Sequence, residues 1–266
     1  MPQIAVQGLE LRYALEGPEG APVVAFSNSL GATLEMWDAL LPALGGRFRT
    51  LRYDTRGHGG SATRDRPTEI ADLAGDLAGL LDALGIGRAH LVGLSLGGMT
   101  VQALASADPA RSLSATLMAT AAHLPSEQSW NERAETVRAQ GPGALVEATL
   151  ARWFTPAFRQ HHPEALQAVR ARFLACDPAG YAVCCGAIGR MDLRHALSAI
   201  TAPTLVIAGR DDPSTPPSMA EVICSGIAQA ELVVLPQAAH LLAVERAEAA
   251  GGYLRAFLDR CEAARA

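Results

Sequence analysis

The sequence predicts an α/β architecture: a mostly parallel sheet of eight strands, helices on both faces, and a helical segment inserted late in the sheet. Three observations predict it. Short apolar runs such as residues 23–26 lack polar alternation, as strands buried on both faces do. These runs alternate with amphipathic stretches in the strand–helix–strand rhythm of parallel sheets. That rhythm stops near residue 122, only helical patterns follow as far as residue 200, and strand patterns then resume. The chain therefore divides into a first core part (1–121), a helical cap (122–200) and a second core part (201–266).

Residues 4–15 hold two strand-like runs around Gln7-Gly8, a hairpin signal. The strand at 23–26 ends in a loop of small residues, Ser27 to Ala32, before a helix expected over 33–44. A strand over 48–53 then delivers Asp54-Thr55-Arg56-Gly57-His58-Gly59-Gly60-Ser61, a tight turn in which Arg56 or His58 braces neighbouring loops. A helix from Thr68 carries Ile70, Leu73, Leu77, Leu80, Leu81 and Leu84 on one stripe and stops at Gly85. Val92 lies in the next strand, residues 95–107 form the helix behind it, and 113–119 is another strand. Helices are expected over 127–140, 143–152, 156–175 and 178–189. The remainder reads strand 204–209, helix 216–228, strand 232–235 and a closing helix over 244–261.

The stretch Gly93-x-Ser95-x-Gly97 sits where a strand turns into a helix. Such a bend forces the serine into a strained backbone conformation that lifts its hydroxyl clear of the sheet. Glycines flank it because side chains there would collide as strand and helix pack. A serine hydroxyl needs a base, and an imidazole titrating near neutrality supplies one. Seven histidines compete. His240 lies just past the strand 232–235, at the carboxyl edge where parallel sheets place their sites. His90 leads into a strand at its other end, His58 belongs to the glycine-rich turn, and the remaining four belong to the helical insert. The imidazole in turn needs a carboxylate to orient it and to stabilise its cation. Asp212 follows the strand 204–209 and is preferred to Asp211, a candidate turn residue. For an oxyanion, Leu96 offers one backbone N–H, and the loop after 23–26 offers a second from Leu30, with Ser29 the alternative. Asn28 either shapes that loop or tolerates an awkward backbone angle in it.

Composition narrows the chemistry. The formal net charge is −5, which leaves no basic footprint for nucleic acid or an anionic membrane. All 22 basic residues are arginine, so Schiff-base, lysine-anchored pyridoxal and Walker-type phosphate chemistry are excluded. No run approaches the roughly 20 apolar residues of a membrane span. The first residues lack the pattern of a signal peptide, and five irregularly spaced cysteines suit free thiols in a reducing cytoplasm. Neither Cys184-Cys185 nor His161-His162 has a metal-ligand spacing, and no metal or cofactor is expected.

The ordered Ser95, Asp212 and His240, with the turn from Asp54 to Ser61, resemble the capped α/β-hydrolase superfamily over nearly the whole chain. A closer resemblance is to the 3-oxoadipate enol-lactonases of aromatic catabolism, in the β-ketoadipate pathway. It rests on Ser27-Asn28-Ser29-Leu30-Gly31, Met36-Trp37, Leu51 to Gly59, Arg152 to Thr155, and Tyr181…Cys185-x-Ala187-Ile188. Ala239 departs from the serine that many members carry before the histidine. The resemblance implies an α/β-hydrolase fold and a serine esterase that opens a small enol-lactone bearing a carboxymethyl group. An arginine would suit that carboxylate, and Trp130, Arg133 and Trp153 are the substrate-binding candidates. The implied partner is this small molecule, with no nucleic acid and no membrane, and a homo-oligomer is left open. Two other readings stay open: a broad carboxylesterase or carbon–carbon hydrolase, and a small-molecule receptor that keeps the triad.

Overall fold

Eight strands form one sheet in the order β1-β2-β4-β3-β5-β6-β7-β8, as seen in a computed structural model that describes residues 1–265. Ala266, the end of the expected second core part, lies outside the described residues. β1 (Gln3–Val6) and β2 (Leu9–Glu16) make the expected hairpin, turning on Gln7 and Gly8 with φ of 50° and 72°. β2 runs antiparallel to β4 (Arg49–Tyr53), and its exposed and buried residues alternate along its first half. Every other pairing is parallel: β3 (Val23–Ser27) between β4 and β5 (Ala89–Leu94), then β6 (Ser112–Met118), β7 (Thr204–Gly209) and β8 (Ala230–Leu235). All residues of β5, β6 and β7 are buried, which is why they read as unbroken apolar and small-residue runs. The chain crosses over beside β3, so the carboxyl ends of β3 and β5 frame the crevice where such sheets bind ligands.

Helices cover both faces. α1 (Ile70–Ala83) and α2 (Leu96–Ala107) pack together, and α8 (Pro217–Gly226) joins them through the turn Arg194–Ala199. The carboxyl-terminal helix α10 (Ala247–Ala263) packs on the turn Leu41–Leu44. Between β6 and β7 lie α3 (Glu127–Gln140), α4 (Val146–Trp153), α5 (Pro156–His161), α6 (Pro163–Leu174) and α7 (Pro178–Arg190). The two ends of this segment are tied side by side: Leu193 N–H donates to Ala122 O at 2.7 Å, and His123 pairs with Asp192 as an isolated bridge.

Several expected helices are shorter or broken. The helix over 33–44 is two 3₁₀ turns, Leu34–Trp37 and Leu41–Leu44, because Pro42 has no N–H to continue a helix from Leu34. The helix over 156–175 breaks at His162 before Pro163, for the same reason. The closing helix is preceded by a separate turn, α9 (Leu242–Glu245), and restarts after Arg246. The helix over 143–152 begins later, at Val146, after a 3₁₀ turn at Pro142–Ala144.

Candidate active site

Ser95 stands between β5 and α2 with φ 57° and ψ −116°, a left-handed backbone that side chains rarely adopt. It is held there from both sides, since its N–H donates to Met118 O at 2.9 Å and its carbonyl accepts from Thr120 Oγ1 at 2.8 Å. The bend is possible because α2 lies directly against β3. A Cβ at Gly97 would sit 2.0 Å from Ser27 O, and one at Gly93 would sit 2.1 Å from Gly97 O. The twelve-residue helix α2 points its N-terminus at the serine, which favours negative charge beside it.

The turn after β7 brings Asp212 to the same edge. Gly209 lets the carbonyls of Ala238 and Ala239 close on it, within 2.5 Å of where a Cβ would be, so this turn and the one after β8 lie in contact. His240 thereby meets Asp212, with its Nδ1 2.8 Å from Asp212 Oδ2. Asp211 is exposed instead and does not reach the imidazole. Asp212 is buried and fully engaged: Thr215 Oγ1 donates to Oδ2 at 2.6 Å, and the amides of Ser214 and Thr215 donate to Oδ1 at 2.7 and 3.1 Å. Burial pushes this carboxyl up. The charge and hydrogen bond of His240 and the groups of Thr215 outweigh that and hold it below its usual range. Ser95 Oγ has no hydrogen-bond partner among the described residues, and it shares one cavity wall with His240.

That cavity, about 420 Å³, is also lined by Leu30, Trp130, Arg133, Arg152, Trp153 and Tyr181. The sheet supplies its floor, and α3, α4 and α7 supply the opposite side. All three substrate-binding candidates therefore face Ser95. Trp153 is the more deeply packed tryptophan, 5.8 Å edge-on to Phe173, whereas Trp130 is half-buried. Arg133 is oriented by Tyr181 Oη and Thr149 Oγ1, each 2.8 Å away. Arg152 was not singled out from sequence as a ligand residue. It lines the cavity with no hydrogen bond or ion pair among the described residues, and burial together with the nearby Arg133 charge pushes it down from its usual value. Among the described residues neither arginine has a carboxylate partner, and no Asp or Glu lines the cavity. Two cations without a counter-ion among the described residues give the cavity a positive lining in a protein of net charge −5.

The amides expected to meet an oxyanion are unpaired. Leu96 N–H, at the start of α2, has no acceptor among the described residues. In the loop after β3, Ser29 N–H points to Met36 Sδ at 3.4 Å and Gly31 N–H to His58 Nε2 at 2.9 Å. Between them Leu30 N–H has no acceptor among the described residues, and Leu30 lines the cavity. Asn28 shapes the loop, donating to Tyr53 O at 2.7 Å and accepting from Trp37 Nε1 at 2.8 Å. The turn from Asp54 to Ser61 is a brace beneath it. Asp54 accepts from Leu34 N–H at 2.8 Å and Gly60 N–H at 2.9 Å, while Arg56 is paired with Asp76 at 2.6 Å.

Other groups stand apart from this chemistry. His90 is buried against Phe48 and Glu262 on the far side of the sheet. The five cysteines are unpaired, and burial pushes Cys184 and Cys185 up to about 12. Among the described residues no group of three or more His, Cys, Asp or Glu could hold a metal ion, and no helix is long and apolar enough to cross a membrane.

The model of the α/β hydrolase fold family matches residues 22–247. Two 3-oxoadipate enol-lactonases of Acinetobacter baylyi are 37% and 40% identical to the chain over 257 and 243 residues, covering 97% and 91% of it and 96% and 90% of themselves. The crystal structure of the enol-lactonase from Burkholderia xenovorans superposes with a TM-score of 0.95 at 41% identity, covering 97% of this chain and all of that one. A strained serine at a strand–helix bend, an imidazole on a carboxylate across the same sheet edge, and these matches have one reading. The chain belongs to the α/β-hydrolase fold family.

Proposed function

We propose that this protein opens 3-oxoadipate enol-lactone to 3-oxoadipate, with Ser95 as nucleophile, His240 as base and acid, and Asp212 as the carboxylate that orients it. One observation carries the reading. Ser95, His240, Leu30 and two arginines with no carboxylate partner among the described residues line a single cavity sized for a small molecule. The likeness to enol-lactonases over nearly the full length of both chains supports the choice of substrate.

His240 accepts the Ser95 proton as Oγ attacks the ring carbonyl, and Asp212 stabilises the resulting imidazolium. The oxyanion is met by the N–H groups of Leu96 and Leu30, such a donor contributing about 3 kcal/mol. Collapse breaks the ring C–O bond, and the leaving enolate takes the proton from His240 and ketonises. Water, deprotonated by the same imidazole, then releases the acid from Ser95. Arg133, already oriented by Tyr181 and Thr149, anchors the carboxymethyl group, with Arg152 beside it and Trp130 and Trp153 as walls. Residues 122–200 serve as a cap that keeps bulk water from this chamber. Five free thiols suit work in a reducing cytoplasm.

Ring opening by the pure protein, measured beside Ser95→Ala and a neutral aryl ester, tests this. Lactone loss that falls at least about a thousandfold in the variant is expected. Ester cleavage without lactone turnover would leave a general esterase. Tight lactone binding without turnover would make it a receptor.

A further inference from the structure

The turn from Asp54 to Ser61 supplies an imidazole that accepts a hydrogen bond from the loop after β3. Gly31 N–H donates to His58 Nε2 at 2.9 Å, and His58 Nδ1 lies 3.0 Å from Arg56 O. A carbonyl can only accept, so Nδ1 carries the proton and Nε2 is the acceptor. Both nitrogens are committed and the ring is buried, 6.4 Å from Tyr181. Ala32 N–H bonds Ser29 O at 3.1 Å and Gly31 has φ 79°, so Leu30 and Gly31 are the central pair of a tight turn. Leu30 N–H belongs to the preceding Ser29–Leu30 peptide, so a bond at Gly31 N–H acts on it by holding the whole Ser29–Ala32 turn in place.

We propose that His58 is a positioning residue of the oxyanion hole: by holding Gly31 N–H it fixes the turn that aims Leu30 N–H into the cavity. The proposal rests on the assignment of Leu30 as an oxyanion donor, and not on the identity of the lactone. Surrounding groups agree with a neutral ring. Burial pushes His58 down from its ordinary value, against the opposing pull of Arg56 O, Asp54 and Asp177. A protonated ring would turn Nε2 into a donor facing another donor.

The test compares His58→Gln, which keeps an acceptor near the Nε2 position, with His58→Asn, which keeps only the group near Nδ1, and with His58→Leu. Three quantities are read: kcat and KM on an aryl ester, affinity for phenylboronic acid, and affinity for 3-oxoadipate. The boronate forms a tetrahedral adduct on a serine and places an oxygen in the hole, whereas the product binds without one. In His58→Asn and His58→Leu, kcat and boronate affinity are expected to fall together by about 10- to 100-fold, with KM and product affinity within about twofold. His58→Gln is expected to recover most of both. Equal impairment of Gln and Asn, with product affinity falling alongside, would mean that His58 only supports the fold and would overturn the proposal. So would wild-type boronate affinity in His58→Asn. Failure of the serine-hydrolase reading looks different: the wild-type protein would then neither cleave the ester nor bind the boronate, and both would be overturned, whereas loss of the lactone alone leaves the ester and boronate comparisons standing.

Discussion

Ser95 keeps a left-handed φ of 57° because Met118 and Thr120 hold its amide and carbonyl. That conformation costs a side-chain-bearing residue about 1–3 kcal/mol and a glycine far less. Ser95→Gly should therefore abolish turnover yet raise unfolding stability by up to about 1 kcal/mol, read by thermal denaturation. The two arginines separate by substrate. Arg133→Ala or Arg152→Ala should raise KM for the anionic lactone by about 10- to 100-fold, the range for a lost charge-assisted hydrogen bond, and leave KM for a neutral aryl ester nearly unchanged. Steady-state kinetics on the two substrates check this. Equal losses on both would show that the arginines shape the cavity and do not recognise charge. At this scale the sequence was informative only where local context announces a role. Ser95, Asp212 and His240 each follow a legible strand. Thr215 reaches His240 25 residues on, His58 reaches Gly31 27 residues back, and Arg152 stands out through having no partner among the described residues, and no local pattern encodes that.

Among elements, the strands were legible and the helices less so. Fully buried parallel strands need uninterrupted apolar or small residues, which is a strong signal. The 3₁₀ turn at Leu34–Trp37 was hidden, because its start is set by Asp54, twenty residues on, which takes Leu34 N–H. Pro42 and Pro163 were visible in the sequence and mark where the expected helices fail. The same turn carries Glu35, bound to Arg12 of β2 and to Thr33. Burial raises its carboxyl, but those bonds win and hold it at about 2. A carboxyl depressed in the folded state adds stability above its unfolded value, about 4.3, and loses it as pH falls toward the folded one. Wild-type protein should thus exceed Glu35→Gln in stability above about pH 5, with the difference shrinking to nothing near pH 2. Denaturant unfolding across that window checks it. A difference independent of pH would assign Glu35 no ionic role.

Across the whole molecule, the helical segment and the sheet are joined at the edge that carries His240. Glu245 in α9 accepts from Ala239 N–H at 2.7 Å with one oxygen, and from Thr155 N–H at 2.9 Å with the other. Leu241 N–H donates to Trp153 O at 2.9 Å. Hydrogen bonds to a charged group contribute about 1.5–3 kcal/mol, so Glu245→Ala should speed amide exchange at Ala239 and Thr155 together by about 10- to 100-fold. Native-state hydrogen exchange reads both positions, and acceleration at only one would show that they open separately. The same joint bears on timing. Any movement that lifts Trp153 away to admit substrate or release product pulls on the backbone next to His240.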